Sequence, residues 1–301
     1  MTYPTVNTKV TPPLDKATLP PRPEAFELLG PARPNMYNPS PRTESVKLIV
    51  VPEERAMAAQ GADEIQQVLN SSTAPVLGLA TGGTMEHLYP EVIRRFQAGK
   101  LSFRDTTTFN LDEYYPLDSS HPQSYRRFMF EKLFQHVDLT LTPIDEGRWG
   151  QTFVPAAINR HVGGACLEYE QAIVKAGGID LQILGIGKNG HIAFNEPGTS
   201  PWSRTRVVKL EENTRSANAR FFGSLEEVPA YAITMGIATI LEAKRIVLLA
   251  HGAGKADAIA QALTGPVTPE CPASYLQLHP DVTFILDRAA AEKLPLSSGK
   301  N

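Results

Sequence analysis

The segment Gly187-Lys-Asn-Gly-His-Ile-Ala-Phe-Asn-Glu-Pro197 places His191 directly after a glycine turn, with a carboxylate, Glu196, five positions later. An imidazole with a carboxylate to orient it is a proton-transfer pair. A second run, Asp112-Glu113-Tyr114-Tyr115, sets two consecutive carboxylates at the end of an apolar stretch. Partial burial raises a carboxylate toward the range useful for taking a proton, so either qualifies as a general base. Successive strand side chains face opposite ways, so one of the two is expected to enter a site.

A third run, Ala80-Thr-Gly-Gly-Thr84, precedes a helix-forming stretch. Thr81, Gly82, Gly83 and Thr84 would offer backbone N–H groups, two hydroxyls and the positive end of a helix to an anion. The loop lacks the lysine and spacing of a nucleoside-triphosphate cradle, which favours a phosphorylated small molecule. Lys255, in Ala250-His-Gly-Ala-Gly-Lys255, stands where a helix begins. A cation there opposes the helix dipole unless an anion is bound. Arg220 lies between small residues and the pair Phe221-Phe222, and Ser203-Arg-Thr-Arg206 adds two more guanidinium groups. Such an arginine is expected to be held over a site. Each of these residues also has an ordinary structural reading: Thr84 as a helix cap, the carboxylates as a solvated strand end, the cations as surface.

The elements that must position these groups follow from hydrophobic runs. Asp180-Leu-Gln-Ile-Leu-Gly-Ile-Gly187 reads as a buried parallel strand, and similar runs occupy residues 47–51, 75–79, 106–111, 245–249 and 282–286. Helical patterns at 56–69, 85–98, 123–134, 166–176 and 254–263 fall between them. Strand alternating with helix predicts an α/β fold, a three-layer Rossmann-like arrangement with a mostly parallel sheet and helices on both faces. In open sheets of this kind ligands bind beyond the carboxyl ends of the strands, where His191, Asp112, the 81–84 loop and Lys255 all fall. Gly185, Gly187 and Gly190 do spell G-x-G-x-x-G, with Glu211 or Glu212 further on. Pro197, Gly198 and Pro201 interrupt the helix that a dinucleotide's pyrophosphate needs, so that reading fails.

At 301 residues the chain suits one large α/β domain or two small ones. A net charge of −3 gives no reason to expect nucleic acid or an anionic membrane as partner. Cys166 and Cys271 are too few for a disulfide framework and lack the spacing of a zinc site. With no apolar leader and no run of ~18 apolar residues, the expected compartment is the cytoplasm. Residues 1–45 hold ten of the 25 prolines and read as an N-terminal arm that forms neither a long helix nor a central strand. The arm is expected to lie extended on the domain or to be disordered, with a polyproline ligand as the alternative. Ala25-Phe-Glu-Leu-Leu29 suggests a short helical turn within it. Residues 46–290 form the expected catalytic domain and 291–301 a tail.

Taken together, Thr81-Gly-Gly-Thr84, Phe109-Asn-Leu-Asp-Glu-Tyr114, His121-Pro-Gln-Ser-Tyr125, the 187–197 segment, Ser203-Arg-Thr-Arg206, Asn218-Ala-Arg-Phe-Phe222 and Leu276-Gln-Leu-His-Pro280 occur in a telling order. Over roughly residues 46–288 the chain resembles the glucosamine-6-phosphate deaminase family. Gly-His-Ile-Ala-Phe-Asn-Glu-Pro separates these deaminases from the related 6-phosphogluconolactonases. The resemblance implies conversion of glucosamine 6-phosphate and water to fructose 6-phosphate and ammonia without metal or organic cofactor. It implies Asp112 as the C2 base, His191 in ring opening with Glu196 orienting it, and phosphate between the 81–84 loop, Arg220 and Lys255. A helical or loop lid from about residues 200–225 would close over the sugar. Asn189 stands where some members carry an aspartate that supports the histidine, so Glu196 alone is expected to supply negative charge. Some relatives are hexamers, which makes a homo-oligomer an expectation, with the arm packed across the interface. A lactonase-type hydrolase and a non-catalytic sugar-phosphate sensor are the alternatives. The sensor has no use for a base.

Overall fold

The computed structural model describes residues 5–6, 46–145, 148–156 and 161–295. The strands are β1 (Thr5–Val6), β2 (Lys47–Val51), β3 (Val76–Leu79), β4 (Thr107–Asn110), β5 (Asp112–Tyr115), β6 (Pro143–Asp145), β7 (Arg148–Trp149), β8 (Thr152–Phe153), β9 (Leu181–Leu184), β10 (Arg206–Lys209), β11 (Tyr231–Thr234), β12 (Arg245–Ala250) and β13 (Val282–Asp287). The helices are α1 (Glu54–Ser71), α2 (Met85–Gln97), α3 (Tyr125–Lys132), α4 (Val162–Lys175), α5 (Glu212–Phe222), α6 (Ile237–Leu241) and α7 (Ala256–Thr264).

Ten strands form one sheet in the order β1-β2-β13-β12-β9-β3-β4-β8-β7-β6, parallel from β2 to β8. The central strands are mostly apolar and buried along their whole length because helices cover both faces: every residue of β3, β9 and β13 is buried. From β3 the chain steps to β4 on one side, and from β9 it steps to β12 and β13 on the other. With right-handed crossovers this reversal puts α1 and α2 on one face, packed on each other, and α4 and α7 on the opposite face. The reversal falls between the neighbours β3 and β9, so the loops leaving their carboxyl ends diverge and open a crevice. The loops after β4 and β12 flank that crevice on either side. The topology thus brings four loops, each carrying one of the groups singled out above, to one edge.

A second, smaller layer has the order β10-β11-β5, all antiparallel. The run at 106–111 forms β4 as expected, but the residues after it are not a plain strand end: the chain leaves the large sheet at Leu111 and continues as β5 of the small one. Leu111 is the pivot, its N–H donating to the Leu79 carbonyl of β3 and its carbonyl accepting from Met235 after β11. The segment at 200–225 is likewise not only helix and loop, since β10 pairs with β11 along its whole length before α5 begins. β10 escapes sequence reading because its residues are only partly buried and its partner, β11, lies beyond α5 in the chain. A core of Tyr114, Phe194, Leu210, Phe222, Val228 and Ala232 holds this layer together, with Phe222 of α5 edge-on to Tyr114 at 5.2 Å. Such a pair adds ~0.5–1.5 kcal/mol beyond its burial.

The two layers are tied by Glu170 of α4. Its carboxylate accepts from the Thr205 N–H at 2.8 Å, the Thr205 hydroxyl at 2.6 Å and the Thr239 hydroxyl of α6 at 2.6 Å, and faces Arg204 at 3.5 Å. Of the proline-rich arm, Thr5–Val6 pairs antiparallel with Leu48 and Ile49 at the sheet edge. The helical turn expected at residues 25–29 lies outside the described residues. Ala291 and Leu294, placed in the tail by sequence, are buried in the main core, which therefore extends to that point. None of the described helices is long and apolar enough to cross a membrane.

Candidate active site

Asp112 opens β5, paired with Thr234 of β11, and is 7% exposed. Burial, with the charge of Glu113 beside it, holds its carboxyl well above the usual carboxylate range. Strand alternation separates the two acids as expected. Glu113 turns to the start of α3 and accepts backbone N–H bonds from Tyr114, Tyr125 and Arg126, each at 2.9 Å. Burial pushes Glu113 up to about 7 against those three bonds. These backbone bonds tie Glu113 to the α3 turn, and Asp112 takes no part in them.

The 187–197 segment is a tight loop folded on itself. The Gly187 N–H donates to the His191 carbonyl at 2.8 Å, and Gly190, at φ +84°, turns the chain back against Cys271. Gly187 lies directly beneath the imidazole: a Cβ there would sit 2.3 Å from His191 Cε1. The loop is also stitched to the small sheet. Phe194 N–H donates to the Thr234 hydroxyl at 3.1 Å, and Asn195 donates to the Met235 carbonyl at 2.8 Å. Thr234 therefore pairs with Asp112 on one side and supports the histidine loop on the other, linking Asp112 to the His191 segment. Arg206 of β10 adds a bond to Asn195 Oδ1 at 2.9 Å.

His191 Nδ1 lies 3.3 Å from Glu196 Oε2, which also accepts from Asn189 Nδ2 at 2.6 Å. Glu196 Oε1 accepts from the Thr214 hydroxyl of α5. Burial alone would raise Glu196; the bond and charge of His191, then Thr214 and Asn189, outweigh it and pull the carboxyl down to about 2. Asn189 does not meet the imidazole itself. Its Oδ1 accepts from the His191 backbone N–H at 3.3 Å and its amide reaches Glu196, so it orients the carboxylate and adds no charge.

In the 81–84 loop Gly82 has φ +96°, which favours glycine, and a Cβ at Gly82 or Gly83 would face open space. Thr84 precedes α2 but its hydroxyl does not cap the helix, so the capping role considered for it fails. Lys255 sits at the entry to α7, and its Nζ donates to the Ile186 carbonyl at 2.6 Å, above the end of β9. Burial, then the neighbouring Lys188, lowers the Lys255 ammonium. Two like charges with a loop of N–H groups at the same edge suit a dianion. Arg220 is not gathered with them: it is exposed in the last turn of α5, its Cζ 4.6 Å from the Phe221 ring centroid.

Three features of this edge have no counterpart in the sequence reading. The Thr214 contact is one. The rings of His87, in the first turn of α2, and His251, after β12, meet edge to face at 4.9 Å, and burial followed by His87 lowers His251. Lys188 is the third. Nothing in residue pattern marks them, because each partnership joins segments that only the folded structure makes neighbours.

Several known proteins are similar to this chain. The family described as glucosamine-6-phosphate isomerases/6-phosphogluconolactonase matches residues 52–285. A glucosamine-6-phosphate deaminase of Rhodopirellula baltica is 49% identical over 249 residues, 83% of this chain and 96% of the relative. Glucosamine-6-phosphate deaminase 2 of Bacillus subtilis is 49% identical over 255 residues, 84% of this chain and 99% of the relative. A solved monomeric glucosamine-6-phosphate deaminase superposes with a TM-score of 0.78 at 44% identity, covering 82% of this chain and 99% of its own. The 6-phosphogluconolactonase of Trypanosoma brucei shares the fold, with a TM-score of 0.61 at 20% identity, over 83% of this chain and 99% of its own. The central motif, the four converging loops and these relatives together show that the chain belongs to the glucosamine-6-phosphate isomerase/6-phosphogluconolactonase family, among its deaminases.

Proposed function

We propose that this protein converts glucosamine 6-phosphate and water to fructose 6-phosphate and ammonia. The observation that carries the reading is the pairing of a buried, raised carboxylate, Asp112, with an oriented imidazole–carboxylate pair on one sheet edge. Two proton-handling centres suit a reaction with two successive proton steps.

The phosphate would sit on the 81–84 loop with Lys255, and the exposed side chain of Arg220, in the last turn of α5, would swing to it once the sugar is bound. Binding energy from this remote group orients the reacting carbons. His191 would move the proton between the ring oxygen and the anomeric hydroxyl, opening the pyranose to its aldehyde. Glu196 stabilises the charged imidazole in that step. Asp112 would then take the C2 proton, made acidic by the C1 carbonyl, giving an enolamine, and return it to C1. The resulting imine at C2 adds water and expels ammonia, which leaves fructose 6-phosphate. The two buried free thiols, Cys166 and Cys271, support a cytoplasmic setting.

The test is to incubate purified protein separately with glucosamine 6-phosphate and with 6-phosphogluconolactone. Stoichiometric ammonia and fructose 6-phosphate from the first, with no acid from the second, is the expected result. Acid release from the lactone without ammonia from the amino sugar overturns the proposal.

A further inference from the structure

Glu196 has a contact on the side away from the histidine. Its Oε2 serves Asn189 and His191, while its Oε1 takes the hydroxyl of Thr214, eighteen residues further along. Thr214 belongs to the other layer of the molecule. It is the third residue of α5, the helix seated on the small sheet, and it is buried. A threonine inside a helix commonly turns its hydroxyl back to a carbonyl of the preceding turn. That of Thr214 is directed instead to a carboxylate that already receives two groups on its other oxygen. The start of α5 also brings the positive end of a helix toward the anion.

The remaining charges at the start of α5 face elsewhere. Glu211 and Glu212 are exposed, and Arg215 donates to the carbonyls of Leu225 and Val228, each at 2.9 Å. Arg206, on β10, is engaged with Asn195. On the loop itself the titratable partner of Glu196 is His191. A neutral hydroxyl from α5 is thus the contact through which this helix meets the proton pair.

We propose that Thr214 is a positioning residue, which pins Glu196 Oε1 so that Oε2 faces His191 and so makes the pair fully competent only when α5 is seated. The proposal rests on the reading of His191 and Glu196 as the ring-opening pair. The device links closure to chemistry. A displaced α5 leaves Glu196 anchored by Asn189 on Oε2 alone, so the carboxylate is less firmly set and the imidazole works less well on an uncovered sugar.

The experiment compares Thr214→Val, which keeps the branched shape and removes the donor, with Thr214→Ser, which restores it. Thr214→Ala serves as a second donor-free variant should the valine disturb folding. Two readouts are taken: steady-state ammonia release against pH, and the ¹⁵N shifts of the His191 ring across the same pH range in substrate-free protein. In the donor-free variants we expect kcat to fall about tenfold, the scale of one charge-assisted hydrogen bond. KM should change little. The acid limb of the profile should move to higher pH, because Glu196 is then more readily protonated, and Thr214→Ser should recover both. Unchanged His191 ring shifts in Thr214→Val overturn the proposal whatever the activity. Altered ring shifts with unaltered kcat and pH profile keep the coupling and overturn the ring-opening reading beneath it.

Discussion

A single methyl group at Gly187 should disable the histidine while leaving the fold intact. The Cβ of Gly187→Ala would lie 2.3 Å from His191 Cε1 and 2.4 Å from each ring nitrogen, whereas ordinary contact begins near 3.4 Å. The ring must therefore withdraw by about 1 Å. Its Nδ1 is already 3.3 Å from Glu196 Oε2, close to the limit of a hydrogen bond, so withdrawal breaks the pair. Misplacing a reacting group on this scale costs about 10²-fold in rate, or ~2.7 kcal/mol of transition-state stabilisation. The backbone should tolerate the change, because Gly187 is not among the positive-φ glycines and its N–H bond to the His191 carbonyl does not involve a side chain. We expect kcat for ammonia release to fall about 100-fold, with a melting temperature within ~2 °C of wild type. A Gly187→Ala protein that melts normally and keeps kcat within about twofold of wild type would refute the close-packed geometry of His191.

Three further outcomes follow from the same site. Asp112→Asn should raise stability as it removes activity: the folded state holds the Asp112 proton to higher pH than the unfolded chain, so wild type loses stability as pH rises above the ordinary carboxylate range, and the neutral amide does not. The gain in melting temperature should therefore grow from pH 4 toward pH 8, reaching ~2 °C or more, and a scan showing no pH-dependent difference would count against the burial of that charge. Glu196 behaves in the opposite sense, being held down at about 2: its contribution is present above the ordinary value of 4.5 and lost as pH falls toward about 2. Glu196→Gln should flatten acid unfolding across that window and alter the pH–rate profile, and an unchanged profile would remove Glu196 from the proton pair. Lys255→Met should raise KM for glucosamine 6-phosphate at least ~10-fold, the scale of a lost charge-assisted bond, with kcat less affected; equal losses of kcat and kcat/KM would instead place the lysine in the chemistry.

The α/β alternation, the run into His191 and the run into Asp112 were legible in sequence because each depends on local pattern: an apolar stretch long enough to cross a sheet, then glycine or a polar break. The edge on which they meet was legible too, since strand polarity fixes it. What pattern does not encode is which distant strands pair. The change of sheet at Leu111 depends on carbonyl and N–H partners at Leu79 and Met235, so the pattern gives the strand that ends there but not the second sheet that begins at Asp112. Thr214 illustrates the same limit. Its residue type and helical position suggest nothing catalytic, and only the packing of α5 on the small sheet brings its hydroxyl to Glu196. Arg220 shows the reverse case, where type and neighbours favour a held guanidinium and the side chain instead lies over Phe221 in solvent.

The most direct test of the account separates its two proton-handling centres. Ammonia release and the exchange between α and β anomers of glucosamine 6-phosphate, followed by NMR, are measured on the same samples of wild type, Asp112→Asn and His191→Gln. The account predicts that Asp112→Asn loses ammonia release by about 10³-fold yet still catalyses anomer exchange, because ring opening does not need the base. His191→Gln should lose anomer exchange and ammonia release together. Ammonia release at the wild-type rate from a folded Asp112→Asn protein would contradict the assignment of Asp112 as the C2 base.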